Sequence, residues 1–388
     1  MNAILPMQAG PGRSVNDIAA MRPISADSHV TEPPSCYIDN IESKYRERAP
    51  HVEYDEKKGD TYLIDGMAMG IPLGLIAAAG KKSETAHLGA TRFEDLHRGG
   101  SNGKDRIKAM EADGIAAEVV YPTVGMLLCN HTDFDYKNAC FKAYNRWLAG
   151  YVAESEGRIF GIGQTAASSP EGMIQDFKEI KEAGFVGVMM PGVPQSEDYD
   201  SRIYDPVWAT AAELDLPISF HILTSNTPNK GSIFKTARGP KINSTTNVIH
   251  ALHDIIGLFV YTGVLDRHPG LKMITVEADA GWAPHYMQRL DYSYNRHRFH
   301  MGSNALSKMP SEIFRESIYM TFQEDWVAFQ LVNFMNPKRL MWASDFPHFD
   351  STWPNSMQLL ADHTGHLDDS TLKDILRNNV IDLYKLKV

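Results

Sequence analysis

The sequence predicts a (β/α)8 barrel, an α/β fold, distorted by one long insertion after its first strand. Three observations carry this. Eight short apolar segments recur along the 388 residues, each followed by a stretch of helical periodicity. Strands alternating with helices form parallel βαβ units, and eight such units close a sheet on itself. Four of the eight segments end in His, Asp or Glu where a buried strand would otherwise finish apolar, and barrel chemistry sits at those ends.

Residues 1–21, with Gly, Pro and Ser, read as a flexible arm, and 22–388 as one barrel domain. The first strand covers 23–29. After Glu32-Pro33-Pro34 comes an insertion over about 33–104. Within it, His51-Val52-Glu53-Tyr54 and Thr61-Tyr62-Leu63-Ile64 flank a charged turn and predict a small β-hairpin. Residues 66–104 carry no periodicity, and a loop of that length in a compact protein is usually functional or mobile.

From Asp105 the alternation is regular. A helix to Asp113 is stopped by Gly114, and the strand Ile115 to Tyr121 is closed by Pro122. Lys137 to Glu156 is a long helix, with Phe141, Tyr144, Trp147, Leu148 and Tyr151 at helical spacing. The next strands are 159–165, 185–190, 217–222, 271–277, 317–322 and 339–345. Helices are expected over 170–183, 206–214, 246–265, 282–296, 326–335, 355–363 and 370–377.

Composition limits the function. The mix is 43% hydrophobic and 22% charged with a net charge of −10, as in an ordinary globular protein with a sizeable core. There is no basic cluster, so nucleic acid is not the expected partner. No apolar run reaches the roughly 20 residues a membrane span needs. The N-terminus lacks a positive region followed by an apolar one, so no secretory signal is expected. Cys36, Cys129 and Cys140 have no paired spacing, which suggests free thiols and a cytoplasmic setting. The expected partner is a small molecule.

The strand ends carry the chemistry. Asp27 and His29 lie two apart on a strand and project to the same side. A carboxylate beside an imidazole suits zinc, manganese or iron. An N-cap Asp next to a surface His would give the same local pattern. The fifth strand ends at His221, the sixth at Glu277 and the eighth at Asp345. Asp345, with Pro347 just behind it, also fits a helix N-cap. Brought to one barrel mouth, these ends supply two imidazoles and carboxylates with coordination positions left open. His131, after the second strand, is a candidate substrate contact. So are Arg92 in the long loop, which could take an anionic group, and Trp282 beyond the sixth strand. Arg98 and Lys104 share the loop with Arg92. His250 and His253 on an apolar helix read as packing residues, and His268 as part of a turn.

Several motifs resemble one family. They are Asp27-Ser28-His29-Val30-x-Glu32-Pro33, Arg106-x-x-x-Met110-x-x-Asp113-Gly114 and Tyr144-Asn145-x-Trp147-Leu148. With them stand Asp266-Arg267-His268-Pro269-x-Leu271 and Ser344-Asp345-Phe346-Pro347-His348. Over about 23–350 the chain resembles the amidohydrolase-related family of aminocarboxymuconate-semialdehyde decarboxylase and γ-resorcylate decarboxylase. The resemblance implies a distorted barrel holding one divalent ion, zinc first and manganese or iron next, and a homodimer or higher homo-oligomer. It implies ligands at Asp27, His29, His221 and Asp345. Two departures stand out. The first-strand motif begins with Asp27 where the family has His or Glu, which makes Glu32 a further ligand candidate. The sixth strand ends in Glu277 where the decarboxylases place a His, so the proton falls to Glu277, His285 or His348.

The resemblance implies a non-oxidative decarboxylase or C–C lyase acting on a carboxylated ring or enol. A hydrolase using metal-activated water on a carbonyl is the alternative, with Glu277 or Asp345 as base. A non-catalytic barrel, the third reading, predicts no bound metal.

Overall fold

Eight parallel strands form one sheet in the computed structural model, which describes residues 12–68, 70–82, 91–225, 239–240 and 242–388. In chain order the strands are β1 (Ile24–His29), β2 (His51–Asp55), β3 (Gly59–Leu63), β4 (Ile71–Pro72), β5 (Ala117–Tyr121) and β6 (Ile159–Gln164). There follow β7 (Gly187–Met189), β8 (Ile218–His221), β9 (Met273–Val276), β10 (Ile318–Phe322) and β11 (Leu340–Trp342). The sheet order is β1-β5-β6-β7-β8-β9-β10-β11. Every residue of β1, β5, β8, β9 and β10 is buried, the pattern of parallel strands covered on both faces.

The seam between β11 and β1 is built differently. It is made by residues just past β11. The Asp345 N–H donates to the Asp27 carbonyl at 3.0 Å, and the His29 N–H to the Phe346 carbonyl at 2.8 Å. The Ser344 N–H donates to the Ser25 hydroxyl at 2.8 Å. These bonds nearly close the barrel and tie the Asp27 and Asp345 segments to each other.

The insertion holds the expected hairpin. β2 pairs antiparallel with β3, and β4 adds a third strand. The rest of the insertion has short turns of helix, and residues 83–90 of it lie outside the described residues.

Three differences from the sequence reading have physical causes. The helix expected over 246–265 is three helices, Asn243–Asn247, His250–Tyr261 and Val264–Arg267; Gly263, at φ 75°, turns the chain between the last two. The barrel strands are mostly shorter than expected; β9 and β11 stop before Glu277 and Asp345, where the backbone turns to a positive φ and leaves the ladder. The arm is not loose along its described part. Val15–Ala20 is a helix with a Ser14–Asp17 capping box, and Ile18 on it is fully buried. One helical turn and a half is too short to show a readable period. Residues 1–11 lie outside the described residues.

The three cysteines are free and buried. Among the described residues no helix is long and apolar enough to cross a membrane.

Candidate metal centre

Four barrel strands deliver side chains to one point. Asp27 and His29 come from the end of β1, His221 from the end of β8, and Glu277 from just past β9. Asp345 and His348 come from the turn after β11. Asp27, His29, His221 and Glu277 each offer a ligand atom within 4.8 Å of the others, and so do His29, Glu277, Asp345 and His348. Glu277 and Asp345 adopt φ values of 57° and 59°, a left-handed backbone costly for residues other than Gly. Each turns out of its strand there and aims its carboxylate at the cluster.

The separations match ligands around a shared ion. His29 Nε2 lies 3.2 Å from His221 Nε2, 3.4 Å from Asp345 Oδ1 and 3.5 Å from Asp27 Oδ1. Glu277 Oε2 lies 3.3 Å from His221 Nε2 and 3.7 Å from His29 Nε2. Two donors bound at ~2.1 Å with near-tetrahedral angles stand roughly 3.4 Å apart.

The proton positions point the same way. His29 Nδ1 lies 3.0 Å from the Pro122 carbonyl, and His221 Nδ1 lies 3.0 Å from the Ile222 carbonyl. A carbonyl can only accept, so each Nδ1 carries a proton, and in the neutral ring the lone pair of Nε2 turns inward. Two acceptors then face each other at 3.2 Å, which a cation between them reconciles. Asp27 and Asp345 are fully buried, yet none of their four carboxylate oxygens accepts a hydrogen bond. Buried carboxylates left unpaired are strongly unfavourable.

Electrostatics adds to this. Burial, and then Asp345, push the Glu277 carboxyl well above the usual range; burial and then Asp27 do the same to Asp345. Burial, His348 and His221 hold His29 well below the usual imidazole range. At His221 burial pulls the same way, but Asp27 and Glu277 outweigh it and raise the imidazole above its usual range. Imidazoles set among crowded carboxylates make a site that fits a divalent ion on the chemistry of its donors.

His348 belongs to the same cluster. Its ring stacks on His29 at 3.9 Å, and its Nδ1 lies 3.0 Å from Asp345 Oδ1. Its Nε2 lies 3.0 Å from the Thr123 hydroxyl, which itself donates to the Val30 carbonyl. Burial lowers the His348 imidazole to about 4.

The other candidates lie elsewhere. His285 is exposed on the helix Ala283–Met301, whose buried stripe is Ala283, Met287, Leu290 and Tyr294. Arg92 sits over the Tyr54 ring at 3.5 Å and pairs with Asp60 at 3.2 Å, which anchors it to the hairpin. His131 is held by the Asp65 carbonyl at 2.7 Å and by the turn at Asp133. The Trp282 indole donates to the Ala278 carbonyl at 2.7 Å and so braces the turn after Glu277. Asp325 pins the same turn by accepting from the Ala280 and Gly281 N–H groups.

Sequence reasoning missed Gln323, just past β10. Its side chain approaches Asp345, while its amide nitrogen is buried without a full hydrogen bond. It carries no charge, and only its place at a strand end could have singled it out.

Glu32 stands outside both donor groups. Its Oε1 accepts N–H bonds from Thr123 at 3.1 Å, Val124 at 3.0 Å and Gly125 at 3.4 Å, at the start of the helix Val124–Leu128. Burial raises its carboxyl from 4.5 to about 7, with these N–H groups pulling the other way. A raised carboxyl favours the protonated folded state. The stability it gives is full below about pH 4.5 and is lost as pH rises through about 7. Glu32→Gln is therefore expected to flatten the fall in unfolding free energy over that window and to leave metal content unchanged. Urea unfolding across the window, with elemental analysis, checks both. A variant as pH-dependent as the parent, or one stripped of metal, contradicts the assignment.

Comparison with known proteins agrees with this architecture. A γ-resorcylate decarboxylase from Polaromonas sp. is 25% identical over 264 residues, covering 62% of this chain and 76% of the relative. The decarboxylase orsB of Emericella nidulans is 25% identical over 352 residues, covering 87% of this chain and 97% of the relative. A solved 5-carboxyvanillate decarboxylase from Novosphingobium aromaticivorans, complexed with manganese and 4-hydroxy-3-methoxy-5-nitrobenzoic acid, shares the fold. Its TM-score is 0.69 at 18% identity, over 98% of this chain and 100% of that one. The family described as Amidohydrolase matches residues 131–386, about two thirds of the sequence. With the eight-stranded barrel and its motifs, this match establishes that the chain belongs to the amidohydrolase family.

Proposed function

We propose that this protein is a divalent-metal-dependent, non-oxidative decarboxylase acting on carboxylated, hydroxylated aromatic rings or comparable enols. The observation that carries the proposal is the buried cluster at the barrel mouth, with its facing imidazole lone pairs and unpartnered Asp27 and Asp345 oxygens. The decarboxylases named among its relatives support the reaction class.

Asp27, His29, His221 and Asp345 hold the ion; all four side chains are fully buried. When bound, a divalent ion supplies a Lewis acid that orients the substrate carboxylate and its neighbouring oxygen and offsets their charge. Manganese ranks ahead of zinc in this reading. Two carboxylates and two imidazoles suit manganese, iron or zinc alike, and the manganese held by the solved 5-carboxyvanillate decarboxylase of the same fold supports manganese first.

Glu277 handles the proton. Its side chain is 16% exposed, so it faces the opening where the other carboxylates do not. As the C–C bond breaks, its electron pair stays on the ring carbon and carbon dioxide leaves. The Glu277 carboxyl then delivers the proton that takes its place. His348 lines the site beside Asp345, its ring stacked on His29.

Manganese-loaded protein incubated with a panel of hydroxylated benzoic acids in oxygen-18 water tests this. The expected result is carbon dioxide release, a product one carboxyl smaller, and no solvent oxygen in that product. Solvent oxygen incorporation without carbon dioxide would make the protein a hydrolase instead.

A further inference from the structure

The seam between β1 and β11 is held from behind by one buried ion pair. Arg106, on the helix Gly103–Asp113, is fully buried and pairs through Nε with the Glu118 carboxylate on β5. Its Nη1 donates to the carbonyl of His29 at 2.7 Å, and its Nη2 to the carbonyl of Phe346 at 3.0 Å. Nη1 also reaches the Gly99 carbonyl at 3.4 Å. The guanidinium lies 4.7 Å from the Phe346 ring.

These carbonyls belong to a donor residue, His29, and to the residue after another, Asp345. The two segments have no strand ladder between them; a few bonds from the turn after β11 stand in its place. The Phe346 carbonyl accepts from both the His29 N–H and Arg106, so it is shared by the seam and the guanidinium. A guanidinium is a rigid planar fork, so two carbonyls held on its two arms keep a fixed separation.

We infer that the Arg106–Glu118 pair is a positioning element for the metal centre, setting the distance between the Asp27–His29 segment and Asp345 without touching ion or substrate. This rests on the metal reading of the site given above.

The test separates positioning from plain core stability. Replacing a buried ion pair by apolar residues of similar volume is often neutral or stabilising, whereas breaking one partner leaves a buried charge. The double variant Arg106→Met/Glu118→Leu is therefore compared with wild type in two measurements on the full chain. One is the thermal midpoint of metal-free protein. The other is the Kd for manganese alone, from the electron paramagnetic resonance of free ion. The expected result is a midpoint close to wild type with manganese affinity at least about tenfold weaker, the scale seen when groups supporting metal ligands are removed.

Arg106→Lys is the second variant. It keeps the charge beside Glu118 but cannot hold both seam carbonyls, and the same loss of affinity is expected in a folded protein. Wild-type affinity in either folded variant overturns the inference. So does failure of both to fold, which would make the pair purely structural. If wild type itself binds no manganese or other first-row divalent ion, the metal reading falls, and this inference with it.

Discussion

His221→Ala is expected to abolish tight metal binding and, with it, turnover. His221 Nε2 stands 3.2 Å from the matching nitrogen of His29, 3.3 Å from Glu277 and 3.7 Å from Asp27, so its removal opens the middle of the donor set. Removing a supporting group around a metal ligand already costs about 10–100-fold in affinity, and removing the ligand itself costs more. The loss should be specific. His221 is the last residue of β8, and the β8–β9 ladder pairs it through the backbone. The cavity left by the imidazole is polar, and without an ion Asp345, whose carboxyl burial and then Asp27 raise, can take a proton. Circular dichroism should therefore remain barrel-like while elemental analysis finds substoichiometric metal. Near-stoichiometric metal in a folded variant would remove His221 from the ligand set.

Glu277→Gln has the second large effect, in turnover and not in metal retention. The substitution keeps the shape of the side chain and an oxygen able to face the cluster, but removes the titrating group. Four fully buried residues hold the ion in this account, and Glu277 is the donor left open to the mouth. Loss of a positioned proton donor typically costs about 10²–10⁴ in rate. The expected variant has near-normal manganese content and turnover lowered by about that factor. If the metal is lost instead, Glu277 is a ligand and the proton belongs to His348 or to water. If metal and full turnover both remain, the proton travels without it.

Much of this site is legible in sequence because strand ends are easy to mark. An apolar run that stops at His221, Glu277 or Asp345 shows both where the strand ends and what it presents there. Their convergence then follows from barrel topology and from no residue in particular. His285 was readable too, since Ala283, Met287, Leu290 and Tyr294 form the buried stripe of its helix and leave it on the opposite side. Arg92 was not, because its partner Asp60 lies on the neighbouring hairpin strand and the pairing depends on the fold of the insertion. Nor was the seam held by Arg106. Its partners there are backbone carbonyls 77 and 240 residues away, and a carbonyl leaves no trace in a sequence. The lone-pair conflict between His29 and His221 likewise emerges only when the Pro122 and Ile222 carbonyls fix the tautomers.

Anomalous diffraction from crystals of manganese-loaded protein tests the central claim most directly. The account predicts one strong peak at the barrel mouth, within about 2.0–2.3 Å of donor atoms of Asp27, His29, His221 and Asp345. Glu32, His131 and His285 should lie outside its coordination shell. A peak bound elsewhere on the chain, or none at this cluster in protein that retains its manganese in solution, would contradict the account.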